Sequence, residues 1–416
     1  MITQMGEQVW ADAQAGAAVL GLGGCLDYEI TWDVAALEEL VVRHGITADL
    51  IERGDVIRTE PQLVASILAF LRDGVGGERP VASLEVLEAV ARAFPRRVTL
   101  GGTSVRAAIA MSRIGIPSTL HLVAVDDQVR ALLPPDVAWI SSGEDGTLGP
   151  HLIVQFPRGA RVRVGDQVIE APASNRLIYV CDQPNTDMVL DPRLGTLLEG
   201  SRLFLISGFN AMVDESALRE RIASLRDAIA RMPDDALVVF EDAGYHVPAF
   251  SRIFVEGLAD LIDVYGMNED ELQAWVGRSV DLLDEHDVAQ ALADLRALIS
   301  GPTLLVHTSA WALAYGDAAA RFAPALDSGI ALAGTRYLHG DALDAALFAE
   351  TMLLPRQGDG AAFAQRLEAL LGERVACRGA RVLDTATPTT IGLGDTFVGG
   401  VVAALVHPAH AEGMHP

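Results

Sequence analysis

An α/β layered domain with a mostly parallel sheet is the fold class this sequence predicts, and two observations predict it. Apolar strand-like runs alternate with helical patterns over most of the 416 residues. Several of those runs are apolar throughout instead of alternating, as strands are when both faces of a sheet are covered. Helices layered on such a sheet are the expected result. Half of the residues are apolar, so the chain can bury a large core.

In chain order, strands are expected at 17–25, 98–100, 119–124, 138–140, 203–207, 237–240, 261–264, 303–307 and 381–383. Helices are expected at 34–43, 61–72, 83–94, 104–114, 215–231, 269–276, 288–299, 341–353, 362–371 and 395–405. Between 142 and 191 helix signals are scarce. Short strands at 151–156, 161–164 and 176–180 are separated there by Gly, Pro and Asn turns, and another such segment lies at 28–32. The expected division is a large α/β domain (1–25, 35–141 and 192–416) and a small β-rich lid (26–34 and 142–191). A lid over the sheet edge would exclude water from a transfer reaction. A plain hairpin or an oligomer contact is the alternative reading.

Asp and Glu number 56 against 31 basic residues, a formal charge of −25. Such an acidic surface argues against nucleic acid and anionic membranes as partners. Every basic residue of this kind is Arg, so no Lys can act as nucleophile, Schiff base or P-loop clamp. Cys25, Cys181 and Cys377 are far apart and form no C-x-x-C, which suits a reduced, cytoplasmic setting. The first residues lack the basic and apolar regions of a signal peptide, and no apolar run is long enough to span a bilayer. The histidines of the tail lack a supporting ligand cluster, so no metal site is expected there.

The most telling stretch is Gly392-Leu393-Gly394-Asp395, opening the apolar run to Leu405. A glycine turn at a helix N-terminus points unpaired N–H groups outward and favours an anion. An Asp there fits a base that deprotonates a hydroxyl attacking a phosphoryl group held by those N–H groups. It equally fits a helix cap. Upstream, Gly21-Leu22-Gly23-Gly24-Cys25-Leu26-Asp27 is a poor dinucleotide fingerprint, because its third glycine position holds Leu26. A buried strand ending at Asp27, placed to accept hydrogen bonds from sugar hydroxyls, is the better reading. Gly101-Gly102 lets a polar ligand approach the backbone. Glu241 and the pair Asn268/Glu271 put acidic groups at the ends of consecutive strands, a home for hydrated Mg2+. The Asn268-x-x-Glu271 spacing also reads as a capping box.

In this order the motifs resemble the ADP-dependent glucokinase and phosphofructokinase family of the ribokinase superfamily. Gly392-Leu393-Gly394-Asp395 matches its G-x-G-D motif, Asn268-x-x-Glu271 its N-x-x-E motif, and Val239-Phe240-Glu241 its H-x-E motif with Val in place of His. Asp27 matches the sugar-binding Asp, with Gly23 and Cys25 where Asn often stands. Gly101-Gly102 matches the substrate-contact turn. Residues 151–156 and Asn175-Arg176 resemble lid strands, and Val306-His307-Thr308 the segment before the nucleotide pocket.

The resemblance implies a ribokinase-like three-layer sandwich whose large domain binds the nucleotide. It implies a kinase that moves a phosphoryl group from a nucleotide, ADP favoured over ATP, to a sugar-like hydroxyl. Asp395 would be the base, with Gly392, Leu393 and Gly394 forming the anion hole. Asp27, Gly101, Gly102, Asn175 and Arg176 would hold the acceptor, and His307, Thr308, Gly392 and Gly394 the nucleotide. Glu241, Glu271 and Asn268 would handle Mg2+. Arg158, Arg161 or Arg176 could bind an acceptor phosphate where the family uses Lys. A monomer or homodimer is expected. The competing readings are an ATP-dependent ribokinase-type carbohydrate or nucleoside kinase, an inactive sugar- or nucleotide-binding regulator and, more distantly, a dinucleotide-dependent oxidoreductase.

Overall fold

The apolar run that begins at Ala18 forms β1 (Ala18–Gly21), and the chain then leaves the main sheet through Leu22–Gly24. The structure, a computed structural model, describes residues 17–143, 146 and 148–406. Expectations that fall on 1–16, 144, 145, 147 and 407–416, including the absent signal peptide and the histidine-bearing tail, lie outside the described residues. The further strands are β2 (Cys25–Ile30), β3 (Gly77–Pro80), β4 (Arg96–Gly101), β5 (Thr119–Leu122), β6 (Ala138–Ser141), β7 (His151–Phe156) and β8 (Arg161–Val164). They continue as β9 (Gln167–Glu170), β10 (Asn175–Val180), β11 (Leu203–Ile206), β12 (Leu237–Glu241), β13 (Val264–Asn268), β14 (Thr303–His307), β15 (Trp311–Tyr315) and β16 (Val375–Gly379).

Nine of these form one sheet in the order β16-β15-β14-β13-β12-β11-β1-β5-β6, parallel except for the antiparallel β14-β15-β16 edge. A five-stranded sheet, β3-β10-β7-β2-β4, stands apart from it, and β8 and β9 form a separate hairpin. The expected α/β class with a mostly parallel sheet is therefore what the chain adopts. No helix among the described residues is long and apolar enough to cross a membrane.

The expected division between the two units needs correction. Residues 17–25 are not one strand: β1 ends at Gly21, and Cys25 already belongs to β2. The strand at 98–100 is part of β4, which pairs antiparallel with β2 from Cys25↔Gly101 to Ile30↔Arg96 and so lies in the smaller sheet. Helices Val34–Arg43, Glu60–Asp73 and Leu84–Ala91 bury Leu37, Leu40, Leu68, Phe70 and Leu87 in a second core beneath that sheet, with Leu152, Phe156 and Tyr179. The smaller unit is thus larger than a lid of β-strands. Apolar periodicity shows that a helix has a buried face, but not which sheet covers it.

The segment at 261–264 shifts to β13, and 381–383 makes only an isolated bridge between Arg356 and Arg381. The edge strands β15 and β16 and the helices Ala249–Leu258 and Ala323–His339 were not expected. The last of these is buried along most of its length, so it lacks a polar face to announce it. Glycine sets its packing. A side chain on Gly329 would meet Phe397, and one on Gly400 would meet the Ser328 carbonyl. Gly399 lies equally close to the Ala107 backbone. The helix Leu393–Val406 is therefore seated tightly between helices Ala323–His339 and Thr103–Arg113, and this fixes where Asp395 can point.

His121, on β5, is fully buried, and its Nε2 accepts the Asp191 N–H at 2.8 Å. Burial lowers its pKa from 6.5 to about 4. A depressed folded pKa gives stability that is present above the unfolded value and is lost as pH falls from 6.5 toward 4. Unfolding free energy should drop by about 2 kcal/mol from this group between pH 7 and 5. Urea titrations at the two pH values check this. His121→Gln, which keeps an acceptor but does not titrate, should flatten the drop.

Candidate active site

The C-terminal ends of β1, β11, β12 and β13 face a cleft of about 410 Å3, closed on its other side by β7 and β10 of the smaller sheet. The strand order reverses around β1, and ligands of open α/β sheets bind at such a switch point. Asp27, Gly102, Arg176, Glu241, Asn268 and the whole turn Gly392–Asp395 line the cleft.

Gly392 has φ +70°, and a side chain on it would press on Arg106, so the turn needs glycine twice over. The N–H groups of Gly392, Leu393 and Gly394 donate to no acceptor among the described residues, while Thr396 N–H already bonds the Gly392 carbonyl at 3.0 Å. The turn therefore presents free donors at the start of a helix, as expected of an anion site. Asp395 does not cap this helix, because it lies inside the first turn. Its Oδ1 accepts the Thr103 hydroxyl at 2.9 Å, and its Oδ2 lies 3.7 Å from Arg106 Nε.

Arg106 ties the two halves of the cleft together. Its Nη2 donates to Asp27 Oδ2 at 2.6 Å and lies 3.6 Å from Glu29. Burial works against its charge, but the carboxylates of Asp27 and Asp395 more than offset this and raise its pKa. Asp27 Oδ1 accepts the Cys25 thiol at 3.3 Å and lies 3.9 Å from His151 Nδ1. The Cys25 thiol is pushed up to about 12 by burial and by Asp27. Burial opposes a charge on His151, yet Cys25, Asp182 and Asp27 hold its pKa well above the usual value. Gly101 makes room for this cluster, since a side chain there would overlap the Asp27 carboxylate and the Cys25 sulfur.

At the other end, Glu241 Oε1 bonds His307 Nε2 at 2.8 Å, and His307 packs against the Phe397 ring. Burial opposes the His307 charge, and Glu241 raises its pKa nonetheless. An imidazole two strands away thus partners Glu241, while Val239 on β12 is buried in the core. Gly266 leaves space for the Glu241 carboxylate. Asn268 and Glu271 form the reciprocal capping box, with Asn268 Oδ1 accepting the Glu271 N–H at 3.1 Å and Glu271 Oε2 accepting the Asn268 N–H at 2.7 Å. Burial, reinforced by Glu241 and Asp242, pushes Glu271 up to about 8. Asp242, held by Tyr265 and Trp275, is raised to about 6 by burial.

Five expected site residues do not line the cleft: His307 and Glu271 stand behind it, bonded to Glu241 and Asn268, and Asn175, Thr308 and Gly101 are placed elsewhere. Asn175 faces a neighbouring groove, where its side chain bonds the Gly74 carbonyl and the Arg176 N–H. The Thr308 hydroxyl is engaged in the β14–β15 turn, bonding the backbone of Ala310 and Trp311. Gly101 is spacer, not lining. Of the three candidate phosphate-binding arginines only Arg176 reaches the cleft, and Arg161 pairs with Glu170. Among the described residues Arg176 forms no ion pair within 4 Å, although its charge reaches Glu78 across the cleft, whereas Arg106, His151 and His246 are each paired directly with a carboxylate. Sequence reasoning missed Arg106, Thr103, His151, Asp182 and Asn185. A lone Arg in the small apolar run from Val105 to Met111 was the one signal on offer.

A family model described as the ADP-specific phosphofructokinase/glucokinase conserved region matches residues 17–335. Among solved structures, a phosphofructokinase from Pyrococcus horikoshii OT3 with AMP is similar at TM-score 0.76 and 16% identity, over 95% of this chain and 98% of that one. The last common ancestor of ADP-dependent phosphofructokinases from Methanosarcinales is similar at TM-score 0.73 and 14% identity, over 96% and 97%. An ADP-dependent kinase in complex with fructose-6-phosphate and ADPβS is similar at TM-score 0.68 and 12% identity, over 96% of each chain.

Proposed function

Since the chain belongs to the ADP-specific phosphofructokinase/glucokinase family, we propose that it transfers the β-phosphoryl group of ADP to a hydroxyl of a phosphorylated sugar, with Asp395 as base and Mg2+ as cofactor. ADP-dependent sugar kinase activity is the family's, and the finer assignments rest on the site. The observation that carries them is Asp395 in the same turn as three free N–H groups, facing the cleft.

The acceptor hydroxyl attacks the β-phosphorus, the bond to the bridging oxygen breaks, and AMP leaves. The hydroxyl proton passes to Asp395. The N–H groups of Gly392 to Gly394 receive the charge that builds on the transferring oxygens. Asp27, oriented by Arg106, accepts hydrogen bonds from the acceptor beside Gly102, and Arg176 holds its anionic group. The relative solved with AMP carries the product such a reaction leaves.

The residues present fit Mg2+. Glu241 Oε1 bonds His307 and Glu271 Oε2 accepts the Asn268 N–H, so each carboxylate keeps its second oxygen for a hydrated cation. Mg2+ held through water there would neutralise the donor's phosphates. Glu241→Gln should raise the Mg2+ concentration for half-maximal rate about 10-fold or more. A Mg2+ titration at saturating substrates checks this, and an unchanged requirement removes Glu241 from metal handling.

A second test addresses Arg176. Arg176→Ala should raise KM for a sugar phosphate about 10- to 100-fold, the loss of a charged hydrogen bond, and leave KM for free sugars unchanged. Equal effects on both would remove the phosphate assignment. The three free cysteines suit a cytoplasmic setting. A monomer or homodimer remains the expected state, to be read from sedimentation.

A further inference from the structure

The acceptor end of the cleft holds a set of side chains that hydroxyl recognition does not require. We propose that Cys25, Asp27 and His151 bind a divalent cation of the Zn2+ class, with the fourth coordination position open to the cleft.

One ligand atom from each residue lies within 4.8 Å of the other two, and among the described residues this is the one such cluster of His, Cys, Asp or Glu. Cys25 Sγ stands 3.3 Å from Asp27 Oδ1, and His151 Nδ1 stands 3.9 Å from the same oxygen. Tetrahedral Zn2+ with ordinary bond lengths needs ligand separations of about 3.3–3.5 Å, so small side-chain shifts complete the site. Thiolate, imidazole and carboxylate together favour Zn2+ over Mg2+, which the oxygen-only pair of Glu241 and Glu271 suits instead.

The surrounding groups are arranged as metal sites require. His151 Nε2 bonds Asp182 Oδ2 at 3.2 Å, and the Asp182 side chain is fully buried. Asn185 Nδ2 fixes that carboxylate at 2.7 Å. This carboxylate–histidine pair turns Nδ1 toward Cys25 and Asp27, the arrangement that orients metal-bound histidines. Arg106 holds the other Asp27 oxygen and leaves Oδ1 to the cation. Asp27, Glu29, Asp182 and Asp395 outnumber the two cationic side chains among them, Arg106 and His151, so the local charge favours a cation. All three ligands line the cleft, which provides the path of entry.

A cation held there occupies Asp27 and should compete with the acceptor. That competition rests on the reading of Asp27 as an acceptor residue, whereas the binding itself does not. The test uses Co2+ as a coloured stand-in with the full chain, freed of metal by chelation and dialysis. One equivalent should give a thiolate-to-cobalt charge-transfer band in the near ultraviolet and visible bands of tetrahedral intensity, both abolished by Zn2+. Cys25→Ser should remove the charge-transfer band, and Cys181→Ser should keep it. Asp182→Asn should keep the band and weaken binding about 10- to 100-fold. No charge-transfer band in the unaltered chain, or a band that survives Cys25→Ser, overturns the metal site and leaves the kinase reading intact. Cobalt bound through Cys25 supports the site; if KM for the acceptor then stays unchanged, it is Asp27's role in acceptor binding that is removed.

Discussion

Asp395→Asn is expected to lower turnover by roughly 10^2- to 10^4-fold, the range for a lost general base, while the dissociation constants for nucleotide and acceptor stay within about twofold. Asn keeps the side-chain shape and an oxygen for the Thr103 hydroxyl, which Asp395 Oδ1 accepts at 2.9 Å. It cannot take a proton at the rate of a carboxylate. The helical alternative is sharply different. Asn caps helices as well as Asp does, so a structural role predicts near-normal turnover. Asp395 sits within the first turn of the helix Leu393–Val406, not before it, which already disfavours the capping role. Rapid-quench turnover with calorimetric binding of each substrate separates the two.

The second large effect is expected at Arg106. It is 8% exposed, Asp27 is 5% exposed, and the two are joined at 2.6 Å. Removing one partner of a buried pair leaves the other charge uncompensated, at a cost of about 3–5 kcal/mol. Arg106→Met should therefore lower unfolding free energy by about that amount and also reduce kcat/KM, because Asp27 and Asp395 lose their shared anchor. Adding Asp27→Asn should restore much of the stability, since no buried charge is then unpaired, but none of the activity. Urea unfolding of the two single variants and the double variant reads the coupling. Additive losses would mean that Arg106 acts through packing alone.

The contrast between these two residues shows what the sequence made legible. Asp395 was readable because its neighbours are unusual: two glycines, then an acid, then a small-residue helix. Its structural consequence, three free N–H groups beside a carboxylate, is local to the chain, and local chemistry survives in a linear pattern. Arg106 was not readable, because its partners Asp27 and Asp395 come from β2 and from the far end of the chain. His151, Asp182 and Asn185 were hidden for the same reason. Asp182 and Asn185 bond each other locally, but the meeting of His151 with Asp27 depends on β7 lying beside β2, a register that periodicity does not encode.

The alternation of strands and helices predicted the class and the mostly parallel sheet correctly. It assigned helices 34–43, 61–72 and 83–94 to the larger unit, because an amphipathic helix shows only that one face is covered. The capping-box reading of Asn268 and Glu271 is present in full, and it uses only one of the two Glu271 oxygens. The two readings of that motif therefore do not exclude each other. Val239 shows the converse case. It brings no imidazole to Glu241 from β12, yet His307 delivers one from β14.

Phosphoryl transfer from ADP to a sugar hydroxyl is read by product analysis. The purified chain is incubated with Mg2+, fructose 6-phosphate or glucose, and either ADP or ATP, and nucleotides and sugars are quantified together. AMP and a newly phosphorylated sugar should form in equal amounts from ADP, with the phosphorylated acceptor preferred. Phosphorylated sugar formed from ATP and not from ADP, or nucleotide bound without any AMP released across a broad panel of acceptors, would contradict it.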